Sequence, residues 1–384
     1  MGAPPHLVHL VTHLGKGGAA NNVLLSAIGL RKHGFSVSVL HGPSDSPEDT
    51  RIAEAVDQGV VFHPIPNLCR EISPVRDFRA FREIRILLRK ISPNLLHTHQ
   101  SKAGILGRWA AKRFKGLPVV HTPHGHVFYG YFPPWKTRLF IEIERRAARH
   151  CDLLIGLTQK EVEDHLARSI GQPSQWRVVH SGIELDEIRR LSSPPVDLAE
   201  ALRIPADSRV FVSIGRLEPV KGFVDFLPHI RPAFEKNASL HWVILGEGSQ
   251  RENIQATIEA FGLKKQVHLV GWVDNPHPWL AAADGLLVPS KNEGMGRVVV
   301  EGFALGKPVF VASVGSLPEM VRDEDHGILF DWENSEGIGG LFETFIRRTT
   351  TVPSQDSVRK ETASRYSTER MIDALIDCYQ EILR

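Results

Sequence analysis

Glu293-Gly-Met-Gly-Arg-Val-Val-Val-Glu301 sets two carboxylates with seven residues between them, Gly294 and Gly296 early in the interval and an apolar run after them. The stretch follows Gly285-Leu-Leu-Val-Pro-Ser290, which reads as a buried strand. It precedes Phe303-Ala-Leu-Gly306, which reads as the end of a short helix. Strand, Gly-rich turn and helix N-terminus together place backbone N–H groups at the mouth of a crevice. Carboxylates beside such amides accept hydrogen bonds from hydroxyls, and sugars are rich in hydroxyls. The stretch therefore predicts an α/β fold with a nucleotide-sugar site.

Working outward, the second half repeats one pattern. Arg209 to Arg216, Leu240 to Leu245, Val267 to Val270, Leu286 to Val288 and Val309 to Ala312 read as strands, with helical segments between them. The first half does the same, with strands at Leu7–Thr12, Val37–Val39, Val60–Ile65, around Asn94–His99, at Leu117–Val120, Asp152–Leu157 and Trp176–His180. Strands alternating with helices form parallel sheets, and here the series runs twice. At 384 residues the chain exceeds what one core usually supports. Leu191-Ser-Ser-Pro-Pro-Val196 is the natural linker. The expected division is residues 1–190, residues 191–366, and a final helix over 367–384 carrying Met371, Leu375, Cys378 and Ile382 at three-to-four spacing.

Charge supports that division. Residues 1–185 hold 24 Lys and Arg against 15 Asp and Glu, whereas residues 186–384 hold 22 against 29. A basic first half suits an anionic partner. The helix over 74–90 is amphipathic: Phe78, Phe81, Ile84, Leu87 and Leu88 are assigned to one face, and arginines crowd the rest. The apolar stripe suits the core, and the arginines suit an anionic membrane surface. The loop Phe128-Tyr-Gly-Tyr-Phe-Pro-Pro-Trp135 suits sugar stacking, lipid contact or loop packing. No nucleic-acid motif appears. Three widely spaced cysteines argue against a disulfide framework. No basic segment with a long apolar run opens the chain, so a cytoplasmic protein, peripheral at the inner face of the membrane, is expected.

Histidines gather at strand ends. His97 and His99 share a strand face, but no third ligand stands at a metal-binding spacing. His121, His124 and His126 follow the next strand. Gly15-Lys-Gly-Gly18 opens the first helix. It lacks the spacing of a dinucleotide fingerprint, so a tight turn and an anion site stay equally open. In the second half, Arg216 and Lys221 flank a strand exit five residues apart, a fork and a point charge fit for a diphosphate or for solvent. Gly246-Glu-Gly248 and Gly271-Trp-Val-Asp-Asn275 close the next two strands.

These pieces, in this order, resemble the glycosyltransferase family 4 enzymes: Gly15 to Gly18, His121-Thr-Pro-His-Gly-His126, Ser213 to Gly222, Gly246 to Gly248, Gly271-Trp-Val273 and Glu293 to Glu301. The run His97 to Arg108 is similar to members that build bacterial cell-surface polysaccharides. The resemblance implies a GT-B fold, two Rossmann-like parallel-sheet domains facing across a cleft, with the last helix returning to the first domain. It implies a retaining, metal-independent hexosyltransferase using a UDP-sugar donor and a glycan or polyprenyl-linked acceptor, with no cofactor.

By position, Arg216 and Lys221 would hold the diphosphate, Glu301 the ribose, and Glu293 with Gly294, Met295, Gly296 and Arg297 the donor sugar. Gly246 and Val273 would line the base pocket, and His124 would lie near the reacting centre. Gly17 and Gly18 would approach the donor phosphates or the acceptor, and His99, Lys102 and His126 would lie on the acceptor side. Two departures stand out. Ala20 occupies a place where the family often has an acid, and Ser316 one where a second glycine is usual; Val314 to Glu319 shows no evident link to the site. A nucleotide-sugar epimerase, or a non-catalytic binding protein for phosphosugars or anionic glycans, are the other readings of the same scaffold.

Overall fold

The computed structural model describes residues 4–15, 17–44, 51–125, 133–322, 326–349 and 356–383. They fall into two compact units, residues 1–182 with 368–384, and residues 183–367.

In the first unit seven strands form one parallel sheet: β1 (His6–Val11), β2 (Ser36–His41), β3 (Val61–Pro64), β4 (Leu95–His99), β5 (Val119–Thr122), β6 (Leu153–Gly156) and β7 (Trp176–Val178). Their order is β3-β2-β1-β4-β5-β6-β7. The strands are short and apolar, with helices on both faces, as parallel sheets require. One face packs on the helices Gly18–Lys32 and Thr368–Leu383, through Leu7, Val11, Val37, Leu95 and Val120. The other packs on Pro74–Ile91 and Ser101–Ala111, through Val8, Leu10, Leu96 and Val119.

The last helix is integral to this unit. Met371, Ile372, Leu375, Cys378 and Tyr379 are buried in its core. Each such apolar side chain contributes roughly 1.5–3 kcal/mol. Gly29 allows the close approach, because a Cβ there would lie 2.5 Å from Ile372.

The helix Pro74–Ile91 corrects one expectation. Ala80, Ile84 and Leu88 form its buried stripe, while Phe78 is 61% exposed. At 100° per residue Phe78 lies about a third of a turn from Ile84, too far round to share its contacts. Val75, Phe78, Arg79, Arg82 and Ile86 instead form an outward stripe of apolar and cationic groups.

In the second unit six strands form a second parallel sheet: β8 (Arg209–Ile214), β9 (Leu240–Leu245), β10 (Val267–Gly271), β11 (Gly285–Val288), β12 (Val309–Ala312) and β13 (Gly327–Phe330), in the order β10-β9-β8-β11-β12-β13. β13 has no counterpart in the sequence reading. Phe211, Phe226, Trp242, Phe310, Phe330 and Phe342 fill the core between this sheet and the helices Phe223–Lys236 and Ile338–Arg348. The Pro-Pro stretch is anchored to this unit: Asn275 Nδ2 donates to the Leu191 carbonyl (2.8 Å) and Val196 N–H to the Pro278 carbonyl (3.2 Å).

In both sheets the order reverses beside the first strand, between β1 and β4 and between β8 and β11. Open α/β sheets bind ligands outside the carboxyl ends of strands at such points.

Candidate active site

The second unit builds its site from loops that interlock at the ends of β8, β9 and β11. Gly246 leaves β9 at φ 146°, and a Cβ there would lie 2.0 Å from the Gly215 carbonyl oxygen. A Cβ on Gly248 would lie 2.5 Å from the Leu217 oxygen. The two glycines let the β8 and β9 exits cross in contact, and Leu217 N–H donates to the Glu247 carbonyl at 2.9 Å. Gly246 is thus explained by backbone packing, whatever else passes near it. Val273 is half-buried in the loop after β10.

The same tightness joins the Arg216 loop to β11. Gly222 adopts φ 70°, and its Cα approaches the Pro289 carbonyl so closely that a Cβ would lie 2.0 Å away. Lys291 N–H donates to the Val220 carbonyl at 2.7 Å. These contacts bring Lys221 onto Glu293: the ammonium is bound to Glu293 Oε1, and Ser290 Oγ donates to that same oxygen at 2.9 Å. Both side chains are mostly enclosed, at 24% and 12% exposure. Arg216 is exposed, and its guanidinium has no hydrogen bond or ion pair among the described residues.

Glu293 is braced from behind. Gly315, at φ 54°, lies where a Cβ would be 2.0 Å from the Glu293 carbonyl oxygen. The Val314-to-Glu319 segment therefore does bear on the site, by pressing on its backbone. Gly296 caps the helix Arg297–Ala304 with a left-handed φ of 62°, and Leu317 fills the space a side chain would need. Gly294 and Arg297 are half-buried and Met295 is buried. At the far end of the stretch, Glu301 faces His277, with 3.8 Å between Oε2 and Nε2. His277 Nδ1 meets Asn275 Oδ1 at 3.0 Å. Ser290 and His277 escaped the sequence reading. In the sequence Ser290 reads only as the end of a strand.

In the first unit, Gly17 and Gly18 are exposed at the start of the helix Gly18–Lys32. Lys16, His126 and the aromatic residues Phe128 to Phe132 lie outside the described residues. Lys102 is committed elsewhere, to Asp77 Oδ1 at 2.7 Å and to the Glu71 carbonyl. His99 is 1% exposed, with Nε2 on His9 Nδ1 (2.9 Å) and Nδ1 on His124 Nε2 (2.8 Å). With both nitrogens engaged, its ring has none to offer an acceptor.

His9 was not singled out from the sequence. The β1–β4 register pairs it with His97, and ring nitrogens of His9, His97 and His99 lie within 4.8 Å of one another. The third histidine missing from local spacing thus arrives from a neighbouring strand. His97 is bonded to Tyr379 Oη (2.6 Å) and Thr122 Oγ1 (2.9 Å). Burial pushes the His9 pKa down to about 4 and those of His97 and His99 well below the usual imidazole range, so the rings are neutral near pH 7.

Glu161 is the other missed residue. It is buried, its Oε1 accepts from Gly125 N–H (2.8 Å) and its Oε2 from Leu157 N–H (2.6 Å). Burial raises its pKa against those two stabilising bonds. It ties the loop carrying His124 to the end of β6.

Comparison with known proteins follows this geometry. Residues 16–187 match the model described as Glycosyltransferase Family 4, and residues 197–363 that of Glycosyl transferases group 1. The chain is 28% identical over 345 residues to a UDP-Gal:alpha-D-GlcNAc-diphosphoundecaprenol alpha-1,3-galactosyltransferase of Escherichia coli, covering 88% of each chain. It is 27% identical to a D-inositol 3-phosphate glycosyltransferase of Saccharomonospora viridis, covering 94% of this chain and 89% of that one. Among solved structures, Anabaena Alr3699/HepE in complex with UDP is similar in fold, with a TM-score of 0.79 at 17% identity over 98% of this chain and 100% of that one. Sucrose-phosphate synthase from Thermosynechococcus elongatus gives 0.80 at 19% identity over 98% and 99%. The two family models run in order, one through each parallel-sheet unit, and the chain belongs to glycosyltransferase family 4, with the GT-B fold.

Proposed function

We propose that this glycosyltransferase moves a hexosyl unit from a UDP-sugar to a hydroxyl of a lipid-diphosphate-linked glycan during cell-surface polysaccharide synthesis, with retention of configuration and without a metal ion. The observation that carries the reading is the convergence of Lys221, Glu293 and Ser290 at the β8–β11 switch point, with exposed Arg216 on the adjoining loop. Arg216 and Lys221 hold the diphosphate, and Glu301 accepts from the ribose hydroxyls. Glu293, with the amides of Gly294 to Gly296, holds sugar hydroxyls. Val273 flanks the base, and His124 contacts the transferred sugar. Gly17 and Gly18 leave backbone open to a phosphate or to the acceptor.

In the reaction, the bond from the anomeric carbon to the diphosphate oxygen breaks, and a bond to the acceptor oxygen forms on the same face. The acceptor proton passes to the departing phosphate oxygen. Charge grows on the diphosphate as it leaves, and preorganised cations stabilise it most when water is excluded. Two side-chain cations supply the charge a divalent ion would otherwise bring. The galactosyltransferase relative is named for a UDP-galactose donor and a diphosphoundecaprenol-linked acceptor, which supports both substrate classes. The outward stripe Val75, Phe78, Arg79, Arg82 and Ile86 is suited to an anionic bilayer where such an acceptor resides. No described helix is long and apolar enough to cross a membrane.

The test is a panel of UDP-hexoses with a polyprenyl-diphosphate-linked sugar. The expected product carries the donor's anomeric configuration by NMR and forms at the same rate in EDTA. Sugar interconversion in the absence of acceptor would instead establish an epimerase.

A further inference from the structure

We propose that His9 and His99 are positioning residues that fix the orientation and tautomer of His124, keeping its ring proton on Nδ1. The proposal rests on reading His124 as a contact of the transferred sugar.

Three rings are joined by two hydrogen bonds, His9 Nδ1 to His99 Nε2 at 2.9 Å and His99 Nδ1 to His124 Nε2 at 2.8 Å. A neutral imidazole has one N–H and one lone pair. His99 must therefore donate through one nitrogen and accept through the other, and both bonds point the same way along the chain. Burial keeps His9 and His99 neutral, which enforces this rule. Either His9 donates to His99 and His99 to His124, or every bond reverses.

His9 decides the direction. Its Nε2 is buried and has no hydrogen-bond partner among the described residues. If the chain ran from His124 to His9, that nitrogen would carry an orphaned N–H. In the other direction it carries only a lone pair. Orphaned buried N–H groups are the rarer of the two in folded proteins. His9 thus donates, His99 passes the polarity on, and His124 Nε2 accepts. The proton of a neutral His124 then lies on Nδ1.

His97 and His121 do not join this chain of bonds. His97 packs at a tilt against His9 and His99, with centroids 5.3 and 4.0 Å away, but its own nitrogens meet Tyr379 and Thr122. His121 lies on the opposite sheet face, bonded to Thr98. The backbone of His124 is held as firmly as its ring. Its φ is 58°, in the left-handed region that a side chain rarely adopts, followed by Gly125 at 100°. Gly125 N–H is fastened to buried Glu161. A strained residue fixed at both backbone and ring is over-determined, as strained functional residues are.

The test uses full-length protein, with folding of each variant confirmed by urea unfolding. Nitrogen-15 NMR of the wild type should show His124 as the Nδ1–H tautomer. His99→Ala should abolish that preference and lower kcat tenfold or more with the donor KM unchanged, while His99→Gln, which can still donate, should recover part of the rate. Adding His99→Ala to His124→Ala should cost nothing further in kcat, because one acts through the other. Additive losses would overturn the proposal, as would a wild-type Nε2–H tautomer. So would one equivalent of zinc that is retained through dialysis and lost in His9→Ala, which would make the cluster a metal centre. If His124→Ala alone leaves kcat unchanged, the sugar-contact reading fails, and the NMR result still judges the relay.

Discussion

Lys221 and Glu293 are bound to each other, and Ser290 donates to the same carboxylate oxygen. A diphosphate that Lys221 holds must therefore compete with Glu293. Glu293→Gln weakens that competition, so UDP should bind as tightly as before or more tightly, while turnover falls at least tenfold from lost hold on the sugar. Calorimetry with UDP beside steady-state kinetics reads both. Equal losses would remove Glu293 from the sugar.

Lys221→Ala should lower kcat/KM by about a hundredfold or more, on the order of 3 kcal/mol of transition-state stabilisation. A rise in KM alone, with kcat untouched, would count against a role in leaving-group departure.

Glu301 stands apart from that pair, with His277 as its neighbour. If it accepts from the ribose, wild-type protein should prefer UDP over 2′-deoxy-UDP, and Glu301→Gln should erase most of the preference. Hydrogen bonds to a charged group are worth about 1.5–3 kcal/mol, so UDP itself should bind roughly tenfold or more weakly. A variant that still discriminates as the wild type does would move the ribose elsewhere.

Acid should destabilise the first unit through its histidines. The folded pKa of His9 is about 4, against 6.5 for an ordinary histidine, so the unfolded chain takes up its proton first as pH falls. Stability is complete above about pH 6.5 and is lost between there and about pH 4, by roughly 3 kcal/mol for His9 alone. His97 and His99 shift the same way and add to the loss. Urea unfolding at pH 7.5 and pH 5 measures it; a flat response would mean these rings are not buried as described.

Ending the chain after Ser367 should leave the first unit unable to fold, because Met371, Ile372, Leu375 and Tyr379 complete its core. The milder Tyr379→Phe leaves His97 Nδ1 without its partner and should cost about 1–3 kcal/mol. Circular dichroism with urea titration distinguishes loss of fold from loss of one bond.

Vesicle co-sedimentation tests the outward stripe of the helix Pro74–Ile91. Phe78→Asp combined with Arg79→Glu should abolish binding to vesicles containing an anionic lipid while leaving UDP affinity unchanged. Binding that survives both changes would place membrane contact elsewhere.

Much of the candidate site's backbone was legible in the sequence because its signals are local. Glu293 to Glu301 announces a strand exit, a glycine turn and a helix start within a few residues, and backbone geometry fixes those periods. The alternation of apolar runs with helical segments likewise declared parallel sheets, and the spacing of Met371, Leu375 and Cys378 marked a helix with one buried face. Phe78 was misassigned because a helix period tells which residues share a face only to within the width of the stripe.

The remainder depended on which strands become neighbours. His9 meets His97 and His99 only because β1 lies beside β4, some ninety residues later. Lys221 meets Glu293 only because β8 lies beside β11, and Gly315 braces Glu293 from a segment that shows no link to it in the linear chain. Strand order and register are set by how helices cover both sheet faces, a property of the whole unit that no local pattern carries. The sequence by itself determined the two parallel-sheet halves and the strand–turn–helix stretch that carries Glu293 and Glu301 at the candidate site. The tertiary structure alone decided that Lys221 meets Glu293 and which histidines stand behind His124.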